Sequence, residues 1–139
     1  AMNDIVVGID HSETAAGAAA VAAEMARALG VNLHLVTCAD KSKSVNLKVG
    51  SDQFHTDWFA EAEQFLKDAA RGLDCDQVTF AVGSGNPADF LCDEARRLDA
   101  KTLVVGNRRV QGVSRVLGSV AGDVLKHADC DVLIVNTTG

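Results

Sequence analysis

The sequence predicts an α/β fold built on a doubly wound, five-stranded parallel sheet with helices on both faces. Short, β-branched apolar segments alternate with longer segments of helical character, in the order βαβαβαβαβ. This alternation is typical of parallel sheets, whose strands are buried on both faces. Right-handed crossovers between the strands then place helices on both sides. We expect a single domain over residues 1–139, with Ala1, which precedes Met2, set aside as a residue added for expression.

A change from β-branched residues to alanine marks the first strand and the first helix. The segment Asp4–Asp10 (DIVVGID) is an apolar run typical of a strand buried on both faces. Ser12 can cap a helix, and Ala15–Leu29 is rich in alanine, the best helix former. Gly30 then ends the helix, because glycine readily adopts the left-handed conformation found after helix C-termini.

The middle of the chain repeats this pattern twice. A second strand is predicted at Val31–Thr37, followed by a loop at Cys38–Asp52, where no apolar period is present. The second helix is predicted at Gln53–Leu73, since its apolar residues recur at steps of three and four. A third strand is predicted at Asp76–Val82, and a third helix at Pro87–Leu98 after a glycine-rich turn.

The last third of the chain contains the remaining strand-helix-strand unit. Lys101–Gly106 (KTLVVG) predicts the fourth strand, and a glycine-bearing loop is expected at Asn107–Leu117. A fourth helix is expected at Ser119–His127, and Asp131–Asn136 (DVLIVN) predicts the last strand. We find no linker, internal repeat or low-complexity tract.

Composition and charge exclude several classes of protein. The net charge is −6, whereas proteins that bind nucleic acids need a basic face, so a nucleic-acid partner is not expected. No apolar run is long enough for a membrane span and no leader segment is recognised, which predicts a cytoplasmic protein without a membrane partner. The four cysteines and four histidines are scattered, so neither a disulfide framework nor a metal site is expected.

A phosphate site is predicted where the fourth helix begins. Ligands of open parallel sheets bind beyond the carboxyl ends of the strands, and the Gly118–Ser119 turn is expected at this rim. The amides of Ser119, Val120 and Ala121 would lack intrahelical acceptors and lie at the positive end of the helix dipole, an arrangement suited to phosphate. In the alternative interpretation, Ser119 caps the helix and Gly118 only permits the turn.

Other polar residues at the rim also have two interpretations. Asp10 can bind a ribose hydroxyl or a base edge, or it can cap the first helix. Arg108, Arg109 and Arg115 can bind phosphate, or they can be ordinary solvated charges of the loop. The chain has no GxxxxGK[ST] motif, no GxGxxG after the first strand and no recognisable general base near Ser119, which argues against a P-loop NTPase, a dinucleotide enzyme and fast catalysis.

Three segments resemble the universal stress protein family, and together they cover nearly the whole chain from Asn3. They are IVVGIDHSETA, GNPADFLCDEA and VVGNRRVQGVSRVLGSVAGDVLKHADCDVLIVNTT, of which the last is the most diagnostic. The resemblance implies the strand order 3-2-1-4-5 and homodimers paired through the last strand, Val132 to Asn136. It also implies an adenine nucleotide as ligand, because one branch of the family binds ATP and some actinobacterial members bind cyclic AMP. Another branch does not bind ATP.

The ATP-binding motif of that family is altered in this chain. The motif is Gly-x-x-Gly, nine further residues and then Gly-Ser or Gly-Thr. Gly106 and Gly118–Ser119 match it, whereas Arg109 stands in place of the second glycine, and Val110–Leu117 is one residue short. Glycine at this position lets the backbone approach the phosphates closely, and an arginine does not. Arg109 would therefore either block a triphosphate or bind it with its side chain.

The residues expected to contact the nucleotide lie at the ends of three strands and at the start of the last helix. They are Gly8, Ile9, Asp10, Val36, Thr37, Val105, Gly106, Arg108, Arg109, Gly118, Ser119 and Val120. By the resemblance, Asp10 contacts the nucleoside, and Val36 or Thr37 contacts the adenine. The resemblance also implies that the ribose and the phosphates are contacted by Gly106, Gly118, Ser119 and Val120.

The leading hypothesis from the sequence is a regulatory stress-response protein that binds an adenine nucleotide. The ligand would be ATP, with or without Mg²⁺, or AMP or cyclic AMP. An alternative from another class is a dimeric interaction module that binds no nucleotide, which the altered motif favours. A third hypothesis is slow ATP hydrolysis, for which the sequence identifies no catalytic residue.

Overall fold

The structure is a computed structural model that describes residues 4–9, 13–39, 54–109 and 117–138. Within these ranges it contains five strands: β1 (Ile5–Gly8), β2 (Leu33–Ala39), β3 (Val78–Ser84), β4 (Thr102–Arg109) and β5 (Asp131–Thr138). The helices of the same ranges are α1 (Glu13–Leu29), α2 (Phe54–Arg71), α3 (Pro87–Arg97) and α4 (Ser119–His127). Asp10, Arg115 and residues 40–52 of the loop predicted at Cys38–Asp52 lie outside the described residues. Cys38 and Ala39 belong to β2, so their assignment to that loop is wrong.

The five strands form one parallel sheet in the order β3-β2-β1-β4-β5, which confirms the predicted fold and strand order. β1 lies at the centre, and its residues Ile5, Val6 and Val7 are fully buried. The chain winds from β1 to β2 and β3 on one side, and then returns to β4 on the other side of β1. The order therefore reverses between β1 and β4, the place where open parallel sheets form a ligand crevice at the carboxyl ends of their strands.

Each face of the sheet is covered by its own apolar layer. Val7 of β1 packs in the layer that includes Ala22 of α1 and Leu66 of α2. Val6 packs in the opposite layer, which includes residues of α3 and Val124 of α4. Successive side chains of a strand point to opposite faces, so the continuous apolar run of β1 serves both layers. Alanines of α1 are fully buried, which lets this helix lie close to the sheet.

The helix bounds agree with the predicted ones to within two residues. β1 is shorter than the predicted Asp4–Asp10, whereas β2 to β5 extend past their predicted carboxyl ends. β4 continues past Gly106 through Asn107–Arg109, which pair with Asn136–Thr138 of β5. The prediction that residues 107–109 belong to a loop is therefore wrong. β2 and β3 likewise reach Ala39 and Ser84 by pairing with each other. These ends depend on pairing between distant parts of the chain, which local apolar pattern does not reveal.

Within the described ranges, no helix combines the length and the apolar character that are needed to cross a membrane.

Candidate functional site

A cavity of about 150 Å³ lies at the carboxyl ends of β1, β2 and β4. α3 forms one side of it, and the first turn of α4 borders it. Its lining is mainly apolar and consists of Gly8, Ile9, Val36, Cys38, Pro87, Phe90, Leu91, Val105, Gly106 and Val120. The cavity is therefore located at the crevice that the strand order creates.

Half of the residues predicted to contact the ligand meet in this cavity. They are Gly8, Ile9, Val36, Val105, Gly106 and Val120. The sequence left Val36 and Thr37 as alternatives, and of the two it is Val36 that lines the cavity. Thr37 is buried, and alternation along β2 places it on the opposite face. Asp10, predicted at the same rim, lies outside the described residues.

The two arginines that directly follow Asn107 lie on a strand and not in a loop. Arg108 pairs with Thr137 and Arg109 pairs with Thr138, both on β5. Arg109 occupies the position where the family motif has its second glycine. Its backbone is therefore held in the ladder of the sheet, and the connection to α4 begins only after it.

Two glycines allow α3 to approach the cavity. A Cβ atom added to Gly83 would lie 2.4 Å from the ring of Phe90, and one added to Gly8 would lie 2.8 Å from Cδ1 of Leu91. Distances this short are sterically excluded, so a side chain at either glycine would force the neighbouring side chain of α3 to move. Phe90 packs against the core and also lines the cavity.

Four lining residues were absent from the predicted set: Cys38, Pro87, Phe90 and Leu91. For Pro87, Phe90 and Leu91 the signal was the turn Gly83–Pro87, because a helix that starts directly after a parallel strand starts at the same rim as the ligand. For Cys38 it was the position directly after Thr37, at the carboxyl end of β2. The Cys38 thiol donates a hydrogen bond to the carbonyl oxygen of Gly85 at 3.2 Å, which joins the end of β2 to this turn.

The first turn of α4 contains backbone amides for which the described residues provide no hydrogen-bond acceptor. Gly118 is the N-cap in an extended conformation, with no side-chain hydrogen bond to the helix, and the first turn contains no acidic residue. Ser119 is thus the first helical residue, and the alternative in which it caps the helix is wrong. Among the described residues, the amides of Ser119, Val120 and Ala121 have no acceptor. Since Val120 also lines the cavity, these donors lie at its border.

Asn107 connects the end of β4 to the start of α4. Asn107 is buried, and its Oδ1 accepts a hydrogen bond from the Gly118 amide at 2.8 Å. This asparagine was predicted to lie in a loop, and no role was predicted for it.

Residues 2–136 match the model of the universal stress protein family. The chain belongs to this family. A universal stress protein of Synechocystis sp. is 36% identical over 78 residues, which cover 54% of this chain and 51% of the relative, about half of its length.

Two solved structures of other universal stress proteins align along nearly the whole chain. One, a complex with cAMP, is 28% identical, covers 97% of both chains and has a TM-score of 0.64. The other, from Archaeoglobus fulgidus in complex with dAMP, is 26% identical, covers 96% of this chain and 97% of its own, and has a TM-score of 0.66. The fold and the family are thus shared with proteins that hold adenine nucleotides.

A polar cluster centred on the buried residues His34 and Glu94 anchors α3 of this universal stress protein to the sheet. Nε2 of His34 is hydrogen-bonded to Oε1 of Glu94 at 2.9 Å. Nδ1 of the same ring is hydrogen-bonded to Oγ1 of Thr79 at 2.6 Å. Arg97 donates to both oxygens of Glu94, at 2.8 and 2.9 Å. The hydrogen bonds from Arg97, with a further one from His34, hold the pKa of Glu94 below its ordinary value although burial opposes them.

The described part of the chain offers no set of three or more His, Cys, Asp or Glu residues that could hold a metal ion by themselves.

Proposed function

We propose that this chain is a single-domain, cytoplasmic regulatory protein of the stress response that binds an adenine nucleotide at the carboxyl rim of its sheet. The observation that carries the proposal is the adjacency of two sites of different chemistry. An apolar cavity and the free backbone donors of a helix N-terminus share one residue, Val120. A nucleotide has the matching halves, a flat base and an anionic phosphate.

Each half of the ligand has residues suited to it. The base would lie against the apolar side chains of Val36, Phe90 and Leu91. The phosphate would accept from the amides of Ser119 and Val120, with the Ser119 hydroxyl as an additional donor. The ribose would lie between them, along the backbone of Gly106. The family resemblance adds Asp10 as the residue that we propose to contact the nucleoside.

The solved relatives support a nucleotide with one phosphate as the first ligand to test. Both cAMP and dAMP, the ligands of those two relatives, contain adenine, a pentose and a single phosphate. One helix N-terminus matches one such group. Binding of ATP with Mg²⁺ would require further contacts for two more phosphates, and the replacement of the motif glycine by Arg109 bears directly on these.

Isothermal titration calorimetry with AMP, cyclic AMP, ATP with Mg²⁺ and adenosine tests the proposal. We expect binding of at least one adenine nucleotide, with GMP as the control for the base. We also expect Ser119→Ala to weaken nucleotide binding by a few-fold, since it removes one hydroxyl donor, and to leave adenosine unchanged. If no adenine nucleotide binds at millimolar concentration, the proposal is wrong.

A dimeric interaction module without nucleotide is the second candidate. β5 is an edge strand of the described sheet, and its apolar residues 132–135 are only half-buried. Open edges of this kind are templates for pairing with another chain, which favours a homodimer through Val132 to Asn136. Light scattering should then give twice the mass of the chain. A monomer at micromolar concentration contradicts the dimer, whereas a nucleotide released on denaturation and detected by mass spectrometry contradicts the nucleotide-free module.

A further inference from the structure

The start of α4 is held by a side chain from a different element. Gly118 donates its amide hydrogen to Oδ1 of Asn107 at 2.8 Å, across eleven positions of the sequence. Gly118 itself is exposed, whereas Asn107 is only 8% exposed. The hydrogen bond therefore spans the entire connection between β4 and α4 and anchors its far end to the sheet.

The acceptor is itself placed on a rigid element. Asn107 pairs with Asn136 in the ladder between β4 and β5. Residues two apart on a strand share a face, and Val105 packs in the same apolar layer as Ala121 of α4. The side chain of Asn107 thus leaves the strand on the side where α4 packs.

The bond differs from an ordinary helix cap in the donor that it uses. A Ser, Asp or Asn at the N-cap accepts from an amide of the first helical turn and removes that amide from other use. Asn107 instead accepts from the amide of the cap residue itself, Gly118. The helix start is fixed in place, while the amides of Ser119, Val120 and Ala121 stay available.

We infer that Asn107 is a positioning residue for the phosphate, acting through α4. It holds the first turn of the helix beside the cavity without consuming any of the three amides that would bind the anion. This inference rests on the proposed function and deepens it. It also explains how a phosphate site is kept in a chain whose motif has Arg109 where other members have a glycine.

The substitution Asn107→Leu tests the inference, because leucine keeps the approximate volume and removes the acceptor. Calorimetry with AMP and with adenosine measures the effect on each half of the site. We expect AMP to bind about tenfold more weakly, the usual scale for loss of one buried hydrogen-bond acceptor, with adenosine unchanged. Unchanged AMP binding, or equal weakening of both ligands, overturns the inference.

Asn86→Leu is the matched control. Oδ1 of Asn86 accepts from the amide of Asp89 at 3.0 Å, so the substitution removes the same type of bond from the start of α3. It should lower the melting temperature while leaving the ratio of AMP to adenosine affinity unchanged. A change in this ratio as large as that in Asn107→Leu would assign the effect to general loosening of the rim and overturn the inference.

Hydrogen exchange tests the bond in the wild-type protein itself, so this measurement does not depend on the folding of Asn107→Leu. The Gly118 amide of the wild-type protein should exchange more slowly than that of an unstructured glycine, and Asn107→Asp, which keeps an acceptor oxygen, should preserve this protection. Exchange at the unprotected rate in the wild-type protein overturns the inference. If the wild-type protein binds neither AMP nor adenosine, the proposed function is wrong; if it binds AMP and Asn107→Leu binds it equally well, only the role of Asn107 is wrong.

Discussion

α3 and α4 begin at the same edge of the sheet, but their first turns are built in opposite ways. α3 is capped by its own Asn86, its first position is Pro87, which has no amide hydrogen, and Asp89 adds a negative charge. α4 begins after Gly118, without a side-chain cap and without an acidic residue in its first turn. The start of α3 thus has a side-chain cap and a negative charge of its own, whereas no acceptor among the described residues caps the first-turn amides of α4.

Under the proposed function, this difference assigns the two parts of ligand recognition to different helices. An anion is disfavoured at the start of α3, because a carboxylate already occupies the positive end of that helix dipole. α3 instead contributes shape, through the side chains of Phe90 and Leu91. α4 contributes free amides and a favourable dipole, which suit phosphate. In a protein with a net charge of −6, such local donors provide the attraction that the overall charge does not.

The largest effect is expected where α3 shapes the cavity. Gly83→Ala places a methyl group 2.4 Å from the ring of Phe90, so the ring must move, and the cavity is the open space beside it. We expect adenosine and AMP to lose affinity together, by about tenfold or more, as overpacking of a tight contact commonly costs 1–3 kcal/mol. Calorimetry with both ligands measures this.

Two variants control for the methyl group itself. Gly83→Ala combined with Phe90→Ala should recover part of the affinity, because the clash is removed. Gly122→Ala adds a methyl where no heavy atom lies within 4 Å, and it should leave both affinities unchanged. A Gly83→Ala protein that binds both ligands normally would show that the ring of Phe90 does not limit the cavity.

A smaller and more selective effect is expected where α4 supplies the donors. Ser119→Glu gives α4 the acidic first turn that α3 already has, and it places a carboxylate beside the phosphate. We expect about tenfold weaker binding of AMP, a loss that decreases with added salt, because screening reduces the repulsion. Adenosine, measured in the same titrations, should be unaffected. A loss shared by adenosine would instead indicate that the substitution distorts the cavity.

The smallest effect concerns the anchoring of α3 and depends on pH. Since the pKa of Glu94 lies below its ordinary value in the folded protein, this carboxylate stabilises the fold above its unfolded pKa of about 4.3, and the stabilisation is lost as the pH falls through the folded pKa. Glu94→Gln should be less stable at pH 7 by roughly 1–3 kcal/mol. Its melting temperature should fall less than that of the wild-type protein as the pH is lowered from 7 to about 3, below the unfolded pKa of a glutamate.

Asp93→Asn is the control for this prediction. Asp93 is a neighbouring carboxylate on the same helix, but its side chain is 70% exposed and pairs with Arg96 at the surface. Exposed ion pairs contribute little to stability, so this variant should follow the wild-type pH profile. Identical pH profiles of Glu94→Gln and the wild-type protein would exclude Glu94 as an anchor that responds to acid.

The sequence by itself determined the type and order of the described elements. The β-branched runs and the alanine-rich or three-to-four periodic segments are local signals, and α4 begins and ends where they predict, at Ser119 and His127. The family resemblance added the strand order, which the structure confirms. The Gly118–Ser119 turn was also identified from sequence, since glycine, serine and a helix start are adjacent in the chain.

Only the tertiary structure decided the ends of the strands and the far walls of the cavity. Asn107 and Arg109 belong to β4 because β5, more than twenty residues later in the chain, pairs with them. Phe90 reaches the cavity because Gly83 of a neighbouring strand leaves room for its ring. The bond between Asn107 and Gly118 likewise joins residues that are separated by the whole connection. Such contacts depend on which elements meet in space, and no local pattern of residue types encodes that.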